Sequence, residues 1–244
     1  MHIAIALFIV LISTFLMFKL SKIAKTKIFF KKKIVYINFQ FVYQTGLLLL
    51  ALMILFLLYL FYPVNFEHFI NIGDLSAPAK SVSWLGIEED ETWLSLGLSL
   101  SFFITAITAT FIYFQFKKSN ISFKAALPYL PWIILFSLTN SFSEEVIYRF
   151  GIIIPLYGSI DTNFILLISA IAFGLPHLKG MPSGTIGVVM ASLLGWLLAK
   201  SVIETNGYFW AWGIHFAQDI VIISALLLSS ITNDNKYEEH NSLP

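Results

Sequence analysis

Long apolar runs, separated by short charged patches, dominate the pattern of this chain. Met1–Phe18 contains no Asp, Glu, Lys or Arg, and neither do Ile34–Phe66, Thr92–Phe116 or Ala125–Ser143. A helix rising about 1.5 Å per residue crosses a bilayer core with roughly 20 apolar residues. Each of these runs is about that length or more. Phe150–Ile160, Thr162–Leu178, Gly180–Ala199 and Thr205–Asn233 are apolar as well, the last interrupted by Asp219. The pattern predicts an all-α fold, a polytopic transmembrane helical bundle of about seven to eight membrane segments.

Composition points the same way. Of 244 residues, 58% are hydrophobic and only 12% charged, and the mean hydropathy is +0.82. Soluble domains carry roughly 25% charged residues, so a soluble enzyme, a disordered chain and a nucleic-acid-binding domain are all excluded. The absence of cysteine excludes a disulfide scaffold, a thiolate metal site and a Cys nucleophile.

The charges are segregated by loop. Lys19, Lys22, Lys25, Lys27, Lys31, Lys32 and Lys33 follow the first run and place that loop in the cytoplasm. Glu67, Asp74, Glu88, Glu89, Asp90 and Glu91 fill the second loop against a single Lys80, which faces it outward. Lys117, Lys118 and Lys124 return the third loop to the cytoplasm, and the N-terminus lies outside. The first run has no basic residues ahead of it and reads as a retained helix rather than a signal peptide. The lysine loop reads first as a topology signal and second as a dock for anionic membrane lipids.

An organisational shift falls near residue 125. Before it the spans lack acids and bases. After it Glu144, Glu145, Arg149, His177, His215 and Asp219 stand in apolar surroundings. Residues 1–125 are therefore read as N-terminal helices with a basic cytoplasmic loop, 126–232 as a functional core, and 233–244 as a polar, mobile tail. An ionisable side chain in a span costs about 2.5–3.5 kcal/mol on insertion scales and marks function by default.

Glu145 and Arg149 stand four apart in the order that favours a helical ion pair. Such pairing makes Glu145 a poor general base. Glu144 is turned about 100° away and is free to face a cavity, which splits the two acids into a structural and a working one. The alternative is that both serve a charge network with Arg149. Ser141 and Glu144 also match a capping box, so residues 125–158 form either one helix or two, with Asn140 near the break. His177 closes an apolar run. His215 and Asp219 share a helix face at i, i+4. Tyr208, Phe209, Trp210 and Trp212 read as an interfacial anchor. Gly187, Ala191, Gly195 and Ala199 form a small-residue stripe that lets another backbone approach closely and puts their helix in the centre of the bundle.

Three elements in this order, Glu144-Glu145-x-x-x-Arg149, Phe173-x-x-x-His177 and His215-x-x-x-Asp219, resemble the CPBP family of intramembrane endopeptidases. That family includes the type II CAAX prenyl proteases and the bacteriocin-immunity-associated Abi proteins. The resemblance covers roughly residues 128–232. It implies a glutamate protease of the cell membrane that needs no metal and no cofactor. In the family the first Glu and the second-motif His activate a water, here Glu144 and His177. The third-motif pair supports the oxyanion, here His215 and Asp219. Glu145 and Arg149 map to structural supports. Asp219 stands where Asn is commoner, and an ionised Asp would repel an oxyanion. The implied substrate is a peptide or membrane-protein segment, lipidated or not. Two alternatives stay open: a zinc protease using Glu144, His177 and His215 as ligands, and a non-enzymatic transporter, immunity or scaffolding protein.

Overall fold

The computed structural model describes residues 1–30, 34–116, 123–179 and 184–241. The topology signals on Lys31, Lys32, Lys33, Lys117 and Lys118, the start of the Gly180–Ala199 run and the last three tail residues lie outside the described residues. Among those described there is no strand. The helices are α1 (His2–Ala24), α2 (Val35–Phe61), the short α3 (Pro63–Phe69), α4 (Trp93–Phe116), α5 (Leu130–Glu145), α6 (Gly151–Leu156), α7 (Thr162–Gly174), α8 (Gly184–Thr205) and α9 (Phe209–Asn241). A π-helical stretch, Val146–Phe150, joins α5 to α6.

Residues 124–156 therefore form one rod of 33 residues, and the run at Phe150–Ile160 is its end rather than a separate span. Six helices are long and apolar enough to cross a membrane, and Thr162–Leu178 is a seventh, shorter apolar helix. The polar tail continues α9 as helix through Asn241. The bundle is an all-α polytopic membrane fold, with large apolar side chains such as Phe8, Phe56, Phe61 and Phe102 exposed on its outside, as lipid-facing positions require.

Two ends of the bundle are distinct. At one, the Asn65 amide donates to the carbonyls of Ile154 (2.9 Å) and Tyr157 (3.1 Å). The Asp74 N–H donates to Thr205 O at 2.8 Å and the Tyr208 N–H to Asn71 O at 3.1 Å. These bonds gather the acidic loop, the end of α6 and the α8–α9 turn. At the other end Ile37, Ile133, Phe136, Ile223 and Leu227 close α2, α5 and α9 together. Lys27 and Lys124 flank this second end in sequence.

The core sits around α6, whose Ile152, Ile153 and Ile154 are fully buried, and α8, whose Leu198, Ala199 and Val202 are as well. The principal apolar cluster takes Ala6, Val10, Leu47 and Ile54 from the first half together with Ile152, Leu198 and Ile214 from the second. The small-residue stripe performs as expected. A Cβ on Gly195 would come within 3.3 Å of the Ala170 backbone, so α7 and α8 meet almost backbone to backbone. Trp210 departs from the anchoring role: it is buried, and its indole N–H donates to Leu75 O at 3.0 Å.

Candidate active site

The rod from α5 to α6 carries the first cluster of charge. No capping box forms inside it. Ser141 Oγ donates to Ser137 O at 2.7 Å instead, back-bonding along a helix that simply continues. The break near Asn140 is replaced by the π-helical turn six residues later, a widening that often accompanies functional sites. Across this turn Glu145 Oε2 lies 2.9 Å from Arg149 Nε, and both side chains are buried.

Arg149 is held on two sides. Its guanidinium carbon lies 4.3 Å from the Phe173 ring centre, a cation–π contact strengthened by exclusion of water. Its terminal nitrogens make no hydrogen bond among the described residues. Phe173 is the hub of the cluster, edge-on to Tyr148 (5.5 Å) and His215 (5.6 Å) and 5.3 Å from the His177 ring.

α9 brings in the second cluster. His215 Nδ1 lies 2.8 Å from Glu145 Oε1. Its Nε2 lies 3.7 Å from Glu144 Oε2 and 3.8 Å from Asp219 Oδ1. The side-chain amide of Asn140 donates to Glu144 Oε1 (3.3 Å) and Asp219 Oδ2 (3.1 Å). Three carboxyl groups thus face one guanidinium and one imidazole in the interior of the bundle.

The two adjacent acids differ as their helix positions predict. Glu145 is engaged by Arg149 and His215 and its side chain is 5% exposed, while that of Glu144 is 17% exposed. The carboxyl group nearest His215 is that of Glu145, and Asp219 sits at longer range from the imidazole. Glu144 is twelve residues from the end of α6 and Asp219 ten from the start of α9. At 1.5 Å per residue these are about 18 and 15 Å along their helices, about half of a ~30 Å bilayer core.

His177 stands apart. It lies in the single turn Leu175–Leu178 that follows α7, half-buried, with Nδ1 3.0 Å from Phe173 O. It forms no hydrogen bond or ion pair with Glu144, and the packed path between them runs through Phe173 and His215. Glu144, His177 and His215 are not gathered as a ligand set. No three His, Asp or Glu among the described residues are placed to hold a metal ion.

Two groups of polar residues escaped the sequence reading. Tyr36, Gln40 and Gln44 form a ladder on α2. Gln40 Nε2 donates to Tyr36 Oη at 2.8 Å, and Gln44 Nε2 donates to Gln40 Oε1 and Asn140 Oδ1, both at 3.0 Å. Their signal was a polar stripe at i, i+4 and i+8 in an otherwise apolar span. Lys200 and Glu204 form a buried pair at the end of α8. Lys200 Nζ also donates to Lys80 O at 2.8 Å, and Glu204 accepts from the Trp93 indole at 3.0 Å. Their i, i+4 spacing is the same signal that exposed Glu145 and Arg149.

Residues 126–221 match the family model described as Rce1-like, type II CAAX prenyl endopeptidase Rce1-like. No curated protein and no solved structure matches the chain significantly.

Proposed function

We propose, from the premise that residues 126–221 are a protease domain of the Rce1-like type, that this integral membrane protein is an endopeptidase acting inside the bilayer. Its substrate is a peptide bond of a membrane-associated or lipidated protein or peptide, and its setting is the cell membrane, with membrane lipids around it. In this reading Glu144 and His177 activate a water. The water oxygen adds to the scissile carbonyl carbon while Glu144 takes its proton. His215, with Asp219 beside its Nε2, faces the oxygen of the tetrahedral intermediate. The C–N bond then breaks and Glu144 returns the proton to the leaving amine. Glu145 and Arg149 hold the scaffold.

One observation carries the assignment of the base. Of two adjacent carboxyl groups, Glu145 is consumed by Arg149 and His215, and Glu144 is the more open one, beside the imidazole. His177 lies at the end of α7 far from the acidic loops, with Nε2 unpartnered among the described residues. This supports approach of water and substrate from the cytoplasmic side.

The test is substrate trapping. Glu144→Gln protein in native membranes is expected to retain a peptide that wild type cleaves. Glu144→Ala and His177→Ala are expected to abolish that cleavage while the protein still accumulates. Normal cleavage by both alanine variants overturns the reading.

A further inference from the structure

We infer that Asn140 is a positioning residue for the paired acids Glu144 and Asp219, and that the polar ladder on α2 fixes the direction in which its amide points. The inference rests on the protease reading for its consequence, but not for its geometry.

An asparagine amide has two N–H donors on one side and an acceptor on the other. Here both donors are used, one on Glu144 Oε1 and one on Asp219 Oδ2. The acceptor is used as well, by Gln44 Nε2 at 3.0 Å. A flipped amide would set its oxygen against two carboxyl groups and its N–H against a donor. Gln44 is itself prevented from flipping. Its Nε2 also donates to Gln40 Oε1, and Gln40 is oriented by donating to the Tyr36 hydroxyl. Gln40 and Gln44 are buried, so no competing water from bulk relaxes the direction. Along α2 the amides donate away from the site, Gln44 to Gln40 and Gln40 to Tyr36, while Gln44 also donates to Asn140, which delivers two N–H groups into the site. Buried polar networks of this kind are retained when every member is satisfied.

The consequence is geometric. The Asn140 bridge holds the Glu144 and Asp219 carboxyl groups beside His215 Nε2, which both approach to under 4 Å. Asp219 shares a helix face with His215, and the bridge is the hydrogen-bonded link among the described residues that joins Glu144, on the rod, to Asp219.

The test uses the full chain reconstituted in lipid, with infrared difference spectra and turnover of the peptide captured by Glu144→Gln. The carboxyl bands of the two acids are assigned by subtracting Glu144→Gln and Asp219→Asn spectra. Asn140→Leu and Asn140→Asp are expected to shift those bands and to lower kcat about 10–100-fold, the scale of a lost hydrogen bond to a charged group, with KM within about twofold. Asn140→Asp is the discriminating variant. It conserves volume, but a carboxyl has at most one O–H and cannot bridge two acids. Gln44→Met, which leaves Asn140 in place but unlocks it, is expected to lower kcat about tenfold. Unshifted bands in Asn140→Asp, or wild-type kcat in that variant, overturn the inference. Undiminished cleavage by Glu144→Gln overturns the protease reading instead, and the infrared result still decides the role of Asn140.

Discussion

His215 is bound to Glu145, not to the aspartate one turn along its own helix: Nδ1 lies 2.8 Å from Glu145 Oε1, whereas Nε2 is 3.8 Å from Asp219 Oδ1. The acid that Arg149 holds on one oxygen thus holds the histidine on the other. Glu145 is the keystone between the rod and α9, and Glu144 is left the more open of the two acids.

This division predicts opposite phenotypes for the same substitution at neighbouring positions. Glu144→Gln is expected to abolish cleavage with little change in thermal stability. Glu145→Gln breaks a buried pair and weakens the link to α9, and is expected to cost about 3–5 kcal/mol of stability. Unfolding midpoints in detergent, read beside turnover, check both. Equal destabilisation by the two variants would contradict the division.

Asp219 accepts the Asn140 amide at 3.1 Å, and its second oxygen lies near His215. An asparagine there can still accept through its carbonyl and offers an N–H₂ toward a developing oxyanion. Asp219→Asn is therefore expected to keep activity within about tenfold of wild type, since one hydrogen-bonding partner changes and none is lost. Asp219→Leu strands the Asn140 donor and is expected to lose about 10–100-fold. Relative kcat/KM of the two variants is the measurement. If both are equally inactive, the carboxylate itself is required.

How much of this was legible follows from periodicity. Glu145 and Arg149 on one face, Glu144 off it, and the stripe from Gly187 to Ala199 all followed from 3.6 residues per turn. The continuous rod did not. The Ser141–Glu144 spacing reads equally well as a cap or as helix interior, and the arbiter is the π-helical turn, which no local spacing announces. His215's choice of Glu145 over Asp219 was hidden for a different reason, because tertiary contact between α5 and α9 overrides an i, i+4 pairing along α9. The ladder on α2 carries no charge, and Lys200 and Glu204 fall just past the apolar run Gly180–Ala199, where charge is ordinary. Burial of amides, and of a lysine at a helix end, carries the same desolvation cost and the same message.

The Lys200–Glu204 pair pins the outer loop. Glu204 accepts the Lys80 N–H at 3.2 Å and the Trp93 indole at 3.0 Å, so one carboxylate ties α8 to the loop and to the start of α4. Glu204→Gln keeps an acceptor but loses the ion pair, and Lys200→Met leaves a buried carboxylate unpaired. Both are expected to speed amide hydrogen exchange across residues 78–92. Lys200→Met is expected to be the more destabilising, by about 3–5 kcal/mol. Exchange confined to wild-type rates in Lys200→Met would show that the loop is held by its apolar contacts alone.

The packing of α4 against α9 depends on one missing methyl. A Cβ on Gly97 would land on the six-membered ring of Trp210, whose indole N–H is fixed to Leu75 O. The ring cannot turn away without breaking that bond, and Gly97 itself lies inside α4, where alanine is otherwise the better helix former by about 1 kcal/mol. Two effects therefore oppose each other, and overpacking against a bonded, buried indole, typically about 1–3 kcal/mol, outweighs the gain in propensity. Gly97→Ala is expected to lower the unfolding midpoint, and the double variant Gly97→Ala/Trp210→Phe to recover part of the loss, since the smaller ring yields the space. A Gly97→Ala protein as stable as wild type would mean that α4 slides along α9 at no cost, and that Trp210 does not set their distance.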